Sequence, residues 1–293
     1  MATTSSKPKL LVIVGPTASG KSDLAFKVAK KYNGEIIAAD SRTVYKGMDI
    51  GTAKPTGQEQ EEITHWGLDL VEPGQRFTVA DFKKYAKAKI ADIQTRDKLP
   101  ILVGGTGLYI DAVLFNFDFR SDRSSLRRRF LSLQNVGKLQ KIINKKGYTM
   151  PENNLNKRHL IRAIETKGRT GTRQTDPDSG VLIIGLLPND AELRARINER
   201  AESYFKKGLL EETKSLLEKY GARKISKTGG IAYNASPKLF KKEITEVDAT
   251  DIIQKEEWQY ARRQKTWFKR NKFIRWFEDS RQAYKEIVRL LNT

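Results

Sequence analysis

The residues with the clearest chemical capacity stand in the run Gly15-Pro16-Thr17-Ala18-Ser19-Gly20-Lys21-Ser22. A glycine, four residues and then Gly-Lys-Ser is the spacing of a phosphate-cradling loop when a strand precedes it and an amphipathic helix follows. Gly15 and Gly20 permit a tight turn that aims successive N–H groups into one concavity, with the positive end of a helix behind them. An oligophosphate fits such a nest. Lys21 would neutralise its terminal phosphates, and the Ser22 hydroxyl would join a Mg2+ shell. Two further stretches carry chemistry. Asp40 follows a short apolar run and can bind Mg2+, directly or through water, or accept a proton from an attacking nucleophile. The base role ranks ahead of the metal role and of a structural cap. Thr106, inside Gly104-Gly105-Thr106-Gly107, offers a hydroxyl at a turn, where substrate contact and simple turn formation weigh equally. His65 and His159 are far apart and lack the spaced partners of a metal site.

These groups are useful only if the chain brings them together. Residues 10–14 form an apolar strand, and 21–32 a helix with Leu24, Ala25, Val28 and Ala29 on one face. Residues 35–39 read as a second strand ending at Asp40, and 100–103 as another that opens into Gly104. This alternation predicts a parallel sheet with ligands beyond the carboxyl ends of its strands. The phosphate loop, Asp40 and Thr106 then converge. Further on, 81–94 reads as a helix, and a short helix runs to Leu114. A strand is expected over 181–187, helical periodicity over 191–220 and 251–271, a strand over 272–277, and a closing helix to Leu291. Between 120 and 173 the chain turns polar and basic, with Arg127-Arg128-Arg129 and Lys145-Lys146. The fold class is therefore α/β, a P-loop NTPase-like parallel sheet core flanked by helices, with a small helical insertion. The core comprises 1–116 and 176–293, and the insert 117–175.

Bulk composition narrows the partners. With 55 Lys plus Arg against 35 Asp plus Glu, the formal net charge is +20, which favours polyanions through counterion release. The run from Trp258 to Arg270 interleaves Arg262, Arg263, Lys265, Lys269 and Arg270 with Trp258, Tyr260, Trp267 and Phe268, an arrangement suited to RNA. Its aromatics are better read as core packing, its cations as backbone contacts. The absence of cysteine excludes disulfides, thiolate nucleophiles and cysteine zinc sites. No leader with an apolar core and no run of about 18 apolar residues is evident, so a cytoplasmic protein without a membrane span is expected.

Gly15 to Ser22, the run from Asp40-Ser41-Arg42-Thr43-Val44-Tyr45 through Asp49-Ile50-Gly51-Thr52-Ala53-Lys54-Pro55, Val103-Gly-Gly-Thr-Gly-Leu-Tyr109 and Tyr260-Ala-Arg-Arg-Gln-Lys-Thr-Trp-Phe268 together resemble the tRNA dimethylallyltransferases, also called tRNA isopentenyltransferases. The resemblance implies transfer of a dimethylallyl group from dimethylallyl diphosphate to N6 of the adenosine at position 37, beside the tRNA anticodon, with release of diphosphate. It implies that Asp40 is the base, that Thr106 lines the channel where the substrates meet, and that Gly15, Thr17, Ala18, Ser19, Gly20, Lys21 and Ser22 hold the diphosphate, with Ser22 serving Mg2+. By the same resemblance Asp40, Ser41, Arg42, Thr43, Thr106, Arg158, Arg162, Arg262, Arg263 and Gln264 face tRNA. A monomer is expected. Thr43 stands where the family carries Gln. Ile231-Ala232-Tyr233-Asn234 stands for its Ile-Gly-Tyr-Lys, and the His-Pro-Asn-Asn stretch is poorly kept near Asn153 to Arg158. Three rivals remain at this point: a prenyltransferase acting on free adenine nucleotides, a small-molecule kinase, and an RNA-binding module with a vestigial nucleotide site. The charge of +20 argues against the first, and an intact Lys21, Ser22 and Asp40 against the last. A labelled prenyl donor offered to tRNA and to AMP separates the enzymes.

Overall fold

The structure is a computed structural model that describes residues 8–119, 125–169, 172–228 and 230–292. The polar tail before residue 8 and the side chains of Arg127 and Arg128 lie outside the described residues. The chain divides into two compact units, one of Met1–Leu114 with Pro177–Thr293 and one of Phe115–Asp176.

The first unit opens with β1 (Leu10–Val14), α1 (Lys21–Tyr32) and β2 (Gly34–Ala38), then a 3-10 turn at Ile50–Thr52, α2 (Gly57–Glu62), β3 (His65–Trp66), α3 (Val79–Thr95), β4 (Leu99–Gly104) and α4 (Gly107–Leu114). The second unit holds α5 (Ser125–Leu133), α6 (Val136–Lys145) and α7 (Lys157–Glu165). The first unit resumes with β5 (Val181–Leu186), α8 (Asp190–Lys206), α9 (Leu209–Tyr220), α10 (Ala222–Thr228), α11 (Ile231–Phe240), α12 (Glu246–Phe268), β6 (Arg275–Phe277) and α13 (Ser280–Leu291).

Among the described residues six strands form one parallel sheet, in the order β3-β2-β4-β1-β5-β6. β1 lies between β4 and β5, which is why every one of its residues is buried and apolar. Leu11, Ile13, Ile101, Val103 and Ile184 pack against Leu24, Ala25 and Val28 of α1 and Ala283, Ile287 and Leu291 of α13. A second core gathers Val44, Met48, Tyr204, Leu209, Tyr233 and Ile253. In the second unit, Leu139, Leu160, Ile161 and Ile164 make a small helical core of their own.

Several elements differ from the sequence expectation. The continuous periodicity over 191–220 is two helices, because Gly208 takes a left-handed φ of 94° and starts α9 anew. α12 begins earlier than expected, at a capping box in which Thr245 and Asp248 satisfy each other's backbone N–H groups. A similar box at Thr56 and Glu59 starts α2, in a stretch read as irregular only up to 55. The last strand is confined to Arg275–Phe277.

Candidate active site

Where β1 ends, the chain cannot leave straight, because β5 runs alongside. A Cβ on Gly15 would stand 2.5 Å from the Leu186 carbonyl oxygen and 2.7 Å from the Ser19 hydroxyl, so only glycine turns here. The loop closes through Ala18 (φ 60°) and Gly20 (φ 85°), and α1 then starts with no side-chain cap. Its first N–H groups are therefore open to an anion at the positive end of the helix. Lys21 folds back inside the loop, donating from Nζ to the Pro16 carbonyl at 3.0 Å. Burial, and then the charge of Arg200, bring its pKa down to about 8. A diphosphate would reverse that shift by supplying opposite charge.

Arg200 is a site residue that the sequence reading missed. It projects from α8, and its Nη2 donates to the Thr17 hydroxyl at 2.6 Å and to Glu257 at 2.5 Å. Glu257 is buried and also accepts from the Tyr204 hydroxyl at 2.9 Å. Burial opposes the charge of Arg200, but Tyr204 and Glu257 outweigh it and lift the pKa above the ordinary value. The cation is thus fixed. Its Nε is buried without an acceptor, as a phosphate oxygen would provide. Arg196, one turn earlier, donates to the Ser19 carbonyl at 3.3 Å. The only signal in the sequence was two arginines four apart on a helix that follows a core strand.

Asp40 follows the end of β2 and accepts the Arg42 N–H on Oδ1 at 2.7 Å in a local turn. Thr106, at the end of β4, accepts the Ser41 N–H on its hydroxyl at 3.1 Å and donates its own N–H to the Ala39 carbonyl at 3.3 Å. These bonds tie the two strand ends together. Tyr260 of α12 also hydrogen-bonds Thr106, and burial, followed by the charge of Asp40, pushes its hydroxyl up to about 12. It therefore stays a protonated donor at neutral pH.

Two cavities meet at Asp40. One, of about 520 Å³, includes Lys21, Ser22, Asp40 and Thr43 in its lining. The other, of about 430 Å³, includes Asp40, Ser41, Thr106, Tyr260, Arg263 and Trp267. Thr17, Asp40, Thr52 and Arg200 line both. An anion held in the first cavity and a nucleophile entering the second would come together at a carboxylate able to take a proton.

The other expected site residues fall out as follows. Ser41, Arg42 and Arg263 line the second cavity, and the Arg42 guanidinium donates to the Thr228 carbonyl. Arg262 and Arg263 are exposed on α12. Thr43, expected to face tRNA with Ser41 and Arg42, is buried and lines the phosphate-loop cavity instead. Gln264, expected to contact tRNA, is largely buried but does line the second cavity. Its Oε1 accepts the Thr17 N–H at 2.8 Å and its Nε2 donates to the Gly105 carbonyl at 2.9 Å, so both ends of its amide brace the site. Gly105 must lack a Cβ because the Gln264 amide occupies that space. Trp267, read as core, is half-buried at the second cavity and held by a 2.8 Å bond to Asp111. In the second unit, Arg158 and Arg162 line a cavity with His159 and Arg169, on the side of α7 away from Leu160 and Ile164.

A family model described as IPP transferase matches residues 43–271. A tRNA dimethylallyltransferase from Thermoanaerobacter sp. (strain X514) is 40% identical over 301 residues, covering 95% of this chain and 95% of its own. Another from Carboxydothermus hydrogenoformans is 37% identical over 310 residues, covering 97% of this chain and 96% of its own. Among solved structures, the full-length tRNA isopentenylpyrophosphate transferase from Bacillus halodurans superposes with a TM-score of 0.73 at 33% identity, covering 98% of this chain and 97% of that one. A eukaryotic dimethylallyltransferase acting on tRNA gives a TM-score of 0.72 at 26% identity, covering 88% of this chain and 69% of that one.

Proposed function

Because this chain belongs to the IPP transferase family, that of the tRNA dimethylallyltransferases, we infer that its phosphate-loop cavity takes dimethylallyl diphosphate and its second cavity the target adenosine of a tRNA. The enzyme transfers the dimethylallyl group to N6 of the adenosine at position 37. The observation that carries the site assignment is the placement of Asp40, which lines both cavities together with Thr17 and Arg200.

The adenine must leave its stack to enter the second cavity. Its exocyclic amine is a poor nucleophile, so each part of the site lowers a different share of the barrier. The amine attacks the first carbon of the dimethylallyl group, the carbon–oxygen bond to diphosphate breaks, and the proton on N6 passes to the Asp40 carboxylate. The loop N–H groups, Lys21 and Arg200 face the charge that grows on the departing diphosphate. Thr106, fixed by Ser41 and Tyr260, presents its hydroxyl where the substrates meet. Arg263 holds tRNA backbone at the mouth of the cavity.

For Mg2+ the donor set fits. Among the described residues no cluster of three or more His, Cys, Asp or Glu could cage a metal, while the Ser22 hydroxyl and the Asp40 carboxylate line one cavity. Such oxygen donors, completed by phosphate oxygens and water, suit Mg2+, which when bound would neutralise charge on the diphosphate. No helix among the described residues is long and apolar enough to cross a membrane. A tRNA substrate supports a cytoplasmic setting.

The test is to incubate the protein with undermodified tRNA and labelled dimethylallyl diphosphate, with AMP and ATP in separate tubes. Label in tRNA, dependent on Mg2+, is expected. Label in AMP alone would overturn the polymer substrate.

A further inference from the structure

The strap of residues 49–54 lies beside the crossing of the two cavities, and Thr52 lines both. Nothing in the reaction as described explains what holds it. The strap curls through the 3-10 turn Ile50–Thr52 and leaves three successive N–H groups pointing one way. A single carboxylate collects them. Glu212, in the first turn of α9, accepts from Asp49 N at 3.0 Å and Ile50 N at 2.8 Å on Oε2, and from Gly51 N at 3.3 Å on Oε1. The same Oε1 accepts the Tyr233 hydroxyl at 2.5 Å. Tyr233 is buried, and its ring occupies the space where a Gly51 side chain would begin, 2.5 Å from an ideal Cβ. The far end of the strap is fixed separately. The buried Lys54 ammonium bonds Asp49 at 2.5 Å, Asp69 at 2.6 Å and the Tyr45 carbonyl at 3.1 Å.

We propose that Glu212, with Tyr233, is a positioning residue for prenyl transfer, holding Gly51 and Thr52 at the crossing so that the two substrates meet in register. It touches neither cavity itself and acts through the strap. Four donors on one half-buried carboxylate, at the positive end of α9, leave the strap a single arrangement. The proposal rests on the assignment of the two cavities to donor and acceptor. It also gives the Ile231-Ala232-Tyr233-Asn234 stretch a role. The tyrosine carries the function, while Ala232 is simply buried and Asn234 bonds Glu256 at 3.2 Å on the neighbouring helix.

The test is a steady-state comparison of the parent enzyme with Glu212→Gln, Tyr233→Phe and Gly51→Ala, using undermodified tRNA and dimethylallyl diphosphate. Glutamine keeps the shape but turns an NH2 group toward N–H and O–H donors. Misalignment by a fraction of an ångström should lower kcat about tenfold in Glu212→Gln while KM for each substrate moves less than about threefold. Tyr233→Phe, which spares the three N–H bonds, should lose about threefold in kcat. Gly51→Ala, pressing the strap off the ring, should resemble Glu212→Gln. Glu286→Gln, which loosens Arg275 of β6 and Arg289 of α13, serves as a stability control and should keep the parent kcat. An active parent with unchanged kcat in Glu212→Gln overturns the proposal, as does a loss that Glu286→Gln reproduces at the same fall in Tm. Should Glu212→Gln fail to fold, parent kcat in both Tyr233→Phe and Gly51→Ala overturns it. A parent with no prenyl transfer to tRNA would defeat the cavity assignment instead.

Discussion

The two cavities that meet at Asp40 are built from different materials. The phosphate-loop side is made mostly of backbone, an uncapped helix start and a left-handed loop, backed by the cations Lys21 and Arg200. The other side is made of side chains, with the hydroxyls of Ser41 and Thr106, the rings of Tyr260 and Trp267, and the exposed cation Arg263. A backbone nest can hold any small polyanion and is sensitive chiefly at its charges and at the glycines that its turn requires. A side-chain wall selects by shape and stacking, and spreads its binding over many modest contacts. Mutations on the first side should therefore act on chemistry, and those on the second on tRNA affinity.

The sharpest break of that contrast is at Asp40, one of the residues that line both cavities. Asp40→Ala should lower turnover by about a thousandfold, in the range of a lost general base, while tRNA affinity measured by filter binding stays within about threefold. Parent-like turnover would remove Asp40 as base. Next, Lys21→Ala should cost about a hundredfold or more in kcat/KM for dimethylallyl diphosphate, as expected when a donor to developing negative charge is lost. On the other side, Arg263→Ala should weaken tRNA binding about tenfold and reduce the salt slope by about one, leaving kcat at saturating tRNA nearly unchanged. Identical salt slopes would take α12 off the RNA.

A pH titration separates the sides in another way. The Lys21 ammonium is favoured by a bound anion, but in the free site its pKa is about 8. Donor affinity should be flat below that value and fall about tenfold per pH unit above it, with one proton taken up on binding. Calorimetry in buffers of different ionisation enthalpy would reveal the proton, whereas tRNA affinity should show no break near 8.

The smallest effect on activity is expected at Glu35, at the opposite end of β2. Its buried carboxyl is held down to about 2, chiefly by the hydrogen bond from Arg96, with burial opposing and Lys98 and Trp66 assisting. A depressed carboxyl stabilises the fold above its ordinary value of 4.5, and that contribution drains away as pH falls toward 2. Because Arg96 and Lys98 are 38% and 31% exposed, solvent screening reduces the loss from Glu35→Gln to about 2 kcal/mol. A lowered Tm with parent kcat is the expected result.

How much of this could be read from the residues differs between the sides for the same reason that they differ in construction. The phosphate loop is contiguous, so spacing alone revealed it. The β1-loop-α1 unit was legible because its strand is continuously apolar and its helix has one apolar face. The burial of Gln264 and Thr43 was not legible, because a residue's neighbours in a motif do not tell which way it points. Gln264 occurs among exposed arginines, yet the turn of α12 directs it inward, onto Thr17 and Gly105. Arg200 gave almost no signal, since its partners Thr17 and Glu257 lie 183 and 57 residues away. α10 and α11 have no clear signature in the sequence because their apolar residues join Met48 and Tyr45 in a second core that no local period announces.

By itself the sequence determined the parallel α/β order, the anion nest of Gly15 to Ser22, the strand-end place of Asp40 and the basic character that suits RNA. Each depends on residues close in the chain, where periodicity and turn chemistry are enough. Only the tertiary structure decided that Arg200, held by Glu257, adds its charge to the loop, that Gln264 braces it, and that Glu212 gathers the backbone of the strap from another helix. Those arrangements depend on buried polar groups finding partners far along the chain. In a packed interior a charged or amide group is tolerated only where its partners already stand, and the fold alone sets where that is.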